Sequence, residues 1–150
     1  MGVSDYKQLI VWQLADELRR EVYRLLSLRT VGRDLKFRNQ LSDAVSSIPS
    51  NLAEGFRRSS PLDFARFVDY AFSGIAEVSE RLDDGQIRRY WTAADLAGAR
   101  RLFLRIDRAL TNLLRYLQTP EAAENAKQAR QRRLDSYRGR RQRREPSEPS

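Results

Sequence analysis

The side chains best equipped for chemistry in this chain are its arginines. Arg57 and Arg58 stand together after a helical stretch, and Arg130, Arg132, Arg133, Arg138, Arg140, Arg141, Arg143 and Arg144 crowd the last fifth. Residues 127–144 hold nine basic side chains against one acid, Asp135. A guanidinium is planar and permanently charged, and its fork of donors meets a phosphate bidentately, as a lysine ammonium cannot. Arginine-rich segments of this kind fold on RNA, bridging phosphates and stacking on bases. The chemistry expected is therefore binding of nucleic acid, RNA over DNA. A solubilising terminus that touches nothing is the plain alternative.

Catalytic groups are scarce. Glu77, Glu80 and Asp84 recur at helical spacing, and carboxylates from two helices can hold magnesium. No second set matches them, and Arg81 and Arg88 are spaced to neutralise them, so they read as a solvated face. The chain has no histidine and no cysteine. That excludes Glu-x-x-His di-iron sites and every Ser–His or Cys–His nucleophile. No glycine-rich phosphate loop is present. The expectation is no enzyme, no cofactor and no metal ligand.

The elements that must carry these residues are helices. Apolar side chains recur at helical spacing in four segments. These are Val11, Leu14, Ala15, Leu18, Val22, Leu25; then Phe37, Leu41, Ala44, Val45, Ile48, Leu52; then Phe64, Phe67, Val68, Ala71, Ile75, Val78, Leu82; and Leu96, Ala99, Phe103, Ile106, Leu110, Leu113, Leu114, Leu117. No stretch alternates with period two. Ser60-Pro61-Leu62-Asp63 and Thr92-Ala93-Ala94-Asp95 are helix starts, each a hydroxyl cap with an acid in the first turn. Gly32 and Gly55 are expected at helix C-termini. Gly85 is expected inside a third helix that runs to about residue 89, because Ile87 and Tyr90 continue the apolar spacing. Thr119-Pro120-Glu121 marks a fresh start and Gly139 a stop.

Short loops between long helices favour antiparallel neighbours. The fold expected is all-α: an antiparallel up-down-up-down four-helix bundle over residues 1–119, with a basic C-terminal extension over 120–150. That extension has only Leu134 and Tyr137 as sizeable apolar residues, so it reads as partly helical or disordered, and residues 145–150 as disordered. At 150 residues, a single core buries roughly 68–70% of the unfolded surface without staples. Net charge is +8, from 28 Lys+Arg against 20 Asp+Glu, and residues 120–150 supply half of it. The apolar runs are too short for a bilayer and the start lacks a secretory layout, so no membrane contact and a cytoplasmic location are expected.

One segment, residues 46–58, stands out: Ser-Ser-Ile-Pro-Ser-Asn-Leu-Ala-Glu-Gly-Phe-Arg-Arg. Pro49 lacks an N–H and pushes its ring toward the carbonyl of Val45, which in a helix interior costs about 3 kcal/mol. Ser46, Ser47 and Ser50 can offer hydroxyls to freed carbonyls, so the expectation is a kinked but continuous helix.

With Leu9, Val11-Trp12-Gln13, Ala15, Glu21, Tyr23-Arg24-Leu25 and Gln40-Leu41, this segment carries a resemblance. So do Phe64, Arg66-Phe67, Gly74 and Ala76-Glu77. Over about residues 6–117 the chain resembles the four-helix-bundle proteins encoded in intervening sequences of bacterial large-subunit ribosomal RNA genes. These are related in shape to the accessory variability determinant of diversity-generating retroelements. The defining run is residues 48–55, in which Pro49, Asn51, Glu54 and Gly55 are the structural motif. Residues 83–91 and the tail depart from the family pattern. The resemblance implies a ring, a homopentamer, with a basic surface suited to nucleic acid, and supplies no catalytic residues.

A ring needs a second apolar face on each subunit. Trp12 and Tyr23 are nearly superposed on the first helix, about 100° off its core stripe, and Leu102, Ala109 and Tyr116 form a similar stripe on the fourth. Trp12, Tyr23, Leu102 and Tyr116 are the candidate oligomer interface; widening the core is the alternative use of such residues. The functional expectation is a non-enzymatic, oligomeric, nucleic-acid-binding bundle. The rival is a protein-interaction scaffold, or an accessory subunit of a nucleic-acid enzyme such as a reverse transcriptase.

Overall fold

The computed structural model describes residues 3–142, and over that span the fold is all-helical. Five α-helices follow one another: α1 (Ile10–Leu26), α2 (Leu35–Arg57), α3 (Pro61–Ile87), α4 (Ala93–Leu117) and α5 (Pro120–Gln142). Short 3-10 turns, Tyr6–Gln8 and Arg29–Val31, precede α1 and link it to α2. The starts follow capping chemistry. Asp34 accepts from the Phe37 N–H, Ser60 from the Asp63 N–H, and Thr92 with Asp95 forms a reciprocal capping box.

α1 packs on α2 and α4, and α3 packs on the same two helices. The enclosed core is the four apolar stripes. Leu18, Leu25, Leu41, Ile48, Leu52, Leu82, Leu96, Ile106 and Leu110 are fully buried, and among the described residues no polar side chain is buried with them. Phe64, Phe67, Phe103, Leu113 and Leu114 are half-buried at the stripe edges.

Pro49 lies buried inside an uninterrupted α2. The Ser47 hydroxyl donates to the Ala44 carbonyl at 2.7 Å, while Ser46 pairs instead with the Tyr23 hydroxyl. Gly55 is not a helix end; it sits in the last turns of α2, buried, and the left-handed glycine among those described is Gly32. A Cβ on Gly55 would stand 2.6 Å from Phe64 Cδ2 and 2.8 Å from Phe67 Cβ. Gly74 of α3 repeats the device, where a Cβ would lie 2.9 Å from Ile48 Cγ1. Each helix thus omits a side chain where the other brings a bulky one, and α2 and α3 approach closely. Gly32 ends the 3-10 turn rather than α1, which stops at Leu26 with Ser27 as its cap.

The α3–α4 corner is built differently. Arg89 takes the left-handed conformation (φ 63°), the Arg89 N–H bonds the Gln86 carbonyl, and the Tyr90 N–H reaches back to Gly85. This is a Schellman stop with arginine where glycine is usual. Ile87, expected to face inward, is 79% exposed because the helix ends there. Trp91 turns inward instead: it is buried, its Nε1–H donates to the Leu82 carbonyl at 2.8 Å, and its ring lies over Gly85. The Thr30 hydroxyl bonds the Tyr90 carbonyl.

Asp34 ties this corner to the start of α2. Its Oδ1 accepts the Phe37 amide at 3.1 Å, its Oδ2 accepts the Tyr90 hydroxyl at 2.5 Å, and Arg88 stands 3.7 Å away. The Tyr90 hydroxyl and then the Phe37 amide hold this carboxyl below its ordinary value of 3.8. Because the folded pKa is depressed, the stabilisation is present above the ordinary value and lost as pH falls through the lowered one. Asp34→Asn is expected to lower the melting temperature at neutral pH and to shrink that difference as pH falls below about 4. Thermal melts across an acid series check this.

α5 corrects one point of the extension, the stop expected at Gly139. It runs as one helix to Gln142, with Gly139 inside it. A single glycine costs only about 1 kcal/mol against alanine, and arginine and glutamine around it are good helix formers. The root of α5 docks through small side chains: Ala122 is buried at 3% exposure and Ala126 is half-buried. The expected disorder of residues 145–150 lies outside the described residues.

Candidate nucleic-acid interface

One corner of the molecule gathers four of the predicted arginines, Arg57, Arg58, Arg130 and Arg133. Arg57 closes α2, Arg58 caps it, and the three-residue link to α3 begins there. α5 passes beside this link. Arg58, Arg130 and Arg133 share a surface groove with Phe56, Phe64 and Tyr116. Arg57 and Arg133 share a second hollow with Asp5 and Tyr6. Two positions some seventy residues apart in sequence are thus neighbours. Arg58 is committed inside the fold: it pairs with Glu54 at 2.9 Å and lies 4.9 Å over the Phe67 ring. Arg57 lies 5.7 Å over the Tyr6 ring. An exposed guanidinium held over an aromatic face is positioned without losing its outward donors.

Beyond this corner α5 carries its charge outward. Residues 127–141 are all exposed, including Arg132, Arg138, Arg140 and Arg141. Asp135 accepts from Gln131, not from an arginine, and Arg140 bonds Ser136 on the previous turn. Arg130, Arg133, Arg140 and Arg141 fall within about 100° of one another around the helix, with Arg132 and Arg138 on other sides. Tyr137, 68% exposed, stands among them. Arg143 and Arg144 lie outside the described residues.

Other arginines are neutralised locally. Asp16 holds both Arg19 and Arg20; burial alone would raise its pKa, but hydrogen bonds from Arg20 and Arg19 bring it below the ordinary value. Arg24 bonds Glu21 at 2.6 Å, which raises its pKa. Arg88 bonds Asp84, and Arg100 bonds Asp83 and Ser79. The expected Glu77–Arg81 neutralisation is not among the ion pairs of the described residues. No group of three or more potential metal ligands stands together among the described residues.

A second basic surface escapes a count of charge along the chain. Arg101, Arg105, Arg108 and Arg115 lie on the outer face of α4, all exposed. Its sequence signal is a four-three-seven spacing opposite the core stripe.

The proposed interface stripes are not equally open. Tyr23 and Tyr116 are 44% and 40% exposed, and Tyr116 accepts a hydrogen bond from Asn125 of α5. Trp12 is half-buried with its ring against Tyr6. Leu102 is 5% exposed and packs in the core, which leaves it little surface for another subunit. Of the motif residues, Pro49 and Gly55 are packed, Asn51 is half-buried, and Glu54 is exposed on its ion pair.

These features define an all-helical protein with a basic corner and no helix, among the described residues, long and apolar enough to cross a membrane. Residues 7–112 match the 23S rRNA-intervening sequence protein family, and the chain belongs to that family. The match stops within α4, so Arg115 and the whole of α5 lie beyond it. No curated protein matches the chain.

Proposed function

We propose that this protein is a non-enzymatic, RNA-binding, ring-forming four-helix bundle. Its binding surface is the corner where Arg57 meets Arg130 and Arg133, continued along α5. The observation that carries this reading is that convergence of distant arginines, with Asp135 bonded to Gln131 and not to an arginine. The up-down-up-down arrangement is supported by the way α1 and α3 each pack on α2 and α4. Tyr23 and Tyr116 are the aromatic groups offered to a neighbouring subunit. In a pentamer the basic corners are displayed together, and weak single interactions become multivalent.

RNA held this way must release counterions. Each phosphate neutralised contributes about −0.7 to −0.9 to the slope of log affinity on log salt. Anisotropy of a labelled RNA, titrated with protein at several salt concentrations, is expected to give a slope of about −4 or steeper. A binding constant that ignores salt would refute the proposal. It would favour the second reading, a protein-interaction scaffold or an accessory subunit of a nucleic-acid enzyme such as a reverse transcriptase.

A further inference from the structure

Five arginines of this fold pair with an acid one turn away. Asp16 serves Arg19 and Arg20, Glu21 serves Arg24, Glu54 serves Arg58, and Asp84 serves Arg88. The arginines on the outer face of α4 have no acid three or four residues away. Arg101, Arg105, Arg108, Asn112 and Arg115 follow at steps of four, three, four and three residues, which places them in one line along the helix. All five are exposed. Among the described residues none of these four arginines makes an ion pair or a side-chain hydrogen bond. The acids of α4 are elsewhere: Asp95 closes the capping box, and Asp107 points about 100° away from Arg108.

Like charges at such spacing repel and destabilise a helix. The line therefore burdens the free protein with a repulsion that a polyanion removes. Toward α1 it widens into a groove where Arg101 and Arg105 face Arg20 and Arg24, with Glu17 and Glu21 as the acids, Glu21 already bonded to Arg24. The line spans about 21 Å at 1.5 Å per residue. That length passes about six phosphates of one duplex strand. No aromatic side chain lies on the line itself; Tyr116 flanks its end but turns to α5, where its hydroxyl accepts from Asn125, so the track is poor in surfaces on which unpaired bases stack. Leu104 is the exposed aliphatic neighbour.

We infer that the outer face of α4 is a second nucleic-acid surface, a track of arginines that grips the phosphate backbone of a duplex without reading bases. It extends the nucleic-acid reading above to a separate face. The α5 corner, which has Tyr137 and Tyr6 among its arginines, takes unpaired nucleotides; the α4 track takes the flanking double helix.

The test uses the full chain carrying Arg101→Gln, Arg105→Gln, Arg108→Gln and Arg115→Gln together. The probes are a blunt RNA duplex of two helical turns and a single strand of equal length. Duplex affinity is expected to fall at least about tenfold, with the log–log salt slope shallower by about 2 to 3. Single-strand affinity should change less than about threefold, since α5 is intact. The four-lysine version, which keeps the charge, should retain the duplex slope. Melting temperature at low salt should stay level or rise in the glutamine variant, because a repulsion has been removed.

An unchanged duplex slope overturns the inference, as does an equal loss on both probes. Competition by poly-glutamate as effective as that of duplex at matched charge also overturns it and marks an acidic-protein dock. If neutralising the α5 corner abolishes all binding while the α4 variant is inert, this inference falls and the earlier reading stands. If the protein binds neither probe, both fall.

Discussion

With Arg57, Arg130, Arg133, Arg138, Arg140 and Arg141 replaced by glutamine, the protein should bind single-stranded RNA at least about a hundredfold more weakly at moderate salt. The salt slope should flatten by about 0.7 for each phosphate of a single strand that is no longer neutralised. Arg58 is left in place deliberately, because its ion pair with Glu54 and its position over Phe67 make it part of the fold. The six targets are exposed, so far-UV circular dichroism and the melting temperature should hold. A variant that binds as tightly as its parent would remove the corner from the binding surface. Charge alone makes no fold, and this separation of binding from stability is what distinguishes a ligand surface from a structural one.

The largest stability effect is expected at Trp91. Its ring is buried, tethered to the Leu82 carbonyl, and packed 5.7 Å from the Phe37 ring. Trp91→Ala should cost about 3–5 kcal/mol in chemical denaturation, the range for an emptied aromatic site. Gly85→Ala should cost about 2 kcal/mol in the parent, although alanine is the better helix former. Its Cβ would enter the Trp91 ring, which cannot retreat without losing its hydrogen bond. In a Trp91→Ala background the same change should be neutral or stabilising, since the obstacle is gone. Equal effects of Gly85→Ala in both backgrounds would show that the close approach is not what places the corner.

Legibility in the sequence follows the range of the interactions involved. The four core stripes are readable because burial on one helix face repeats every 3.6 residues. Every predicted stripe residue of α1 and α2 is buried. The caps at Ser60 and Thr92 are readable because their partners lie three residues on. Gly55 misleads for the opposite reason. A glycine near a helix end suggests a left-handed cap, while its actual task depends on Phe64 and Phe67 of the next helix. Trp91 escapes notice because its partner is a backbone carbonyl, which leaves no trace in side-chain patterning.

The basic surfaces divide in the same way. The arginines of α5 stand out in any linear count, and their neighbourhood with Arg57 needs the fold. Those of α4 are diluted among apolar residues and emerge only when the helix is viewed from outside. The docking of α5 is hidden too, since its anchors, Ala122 and Ala126, are too small to register as an apolar face.

The reciprocal glycines of α2 and α3 bear on precision as well as packing. Phe64 fills the notch at Gly55 while Ile48 fills the one at Gly74, so sliding either helix by a turn would jam both. The seam works like a two-pin plug with a single seating. Arg57 and the bend into α3 are mounted at its end. If the proposed RNA binds there, the backbone that carries Arg57 is already fixed by packing, and less ordering is left for binding to do.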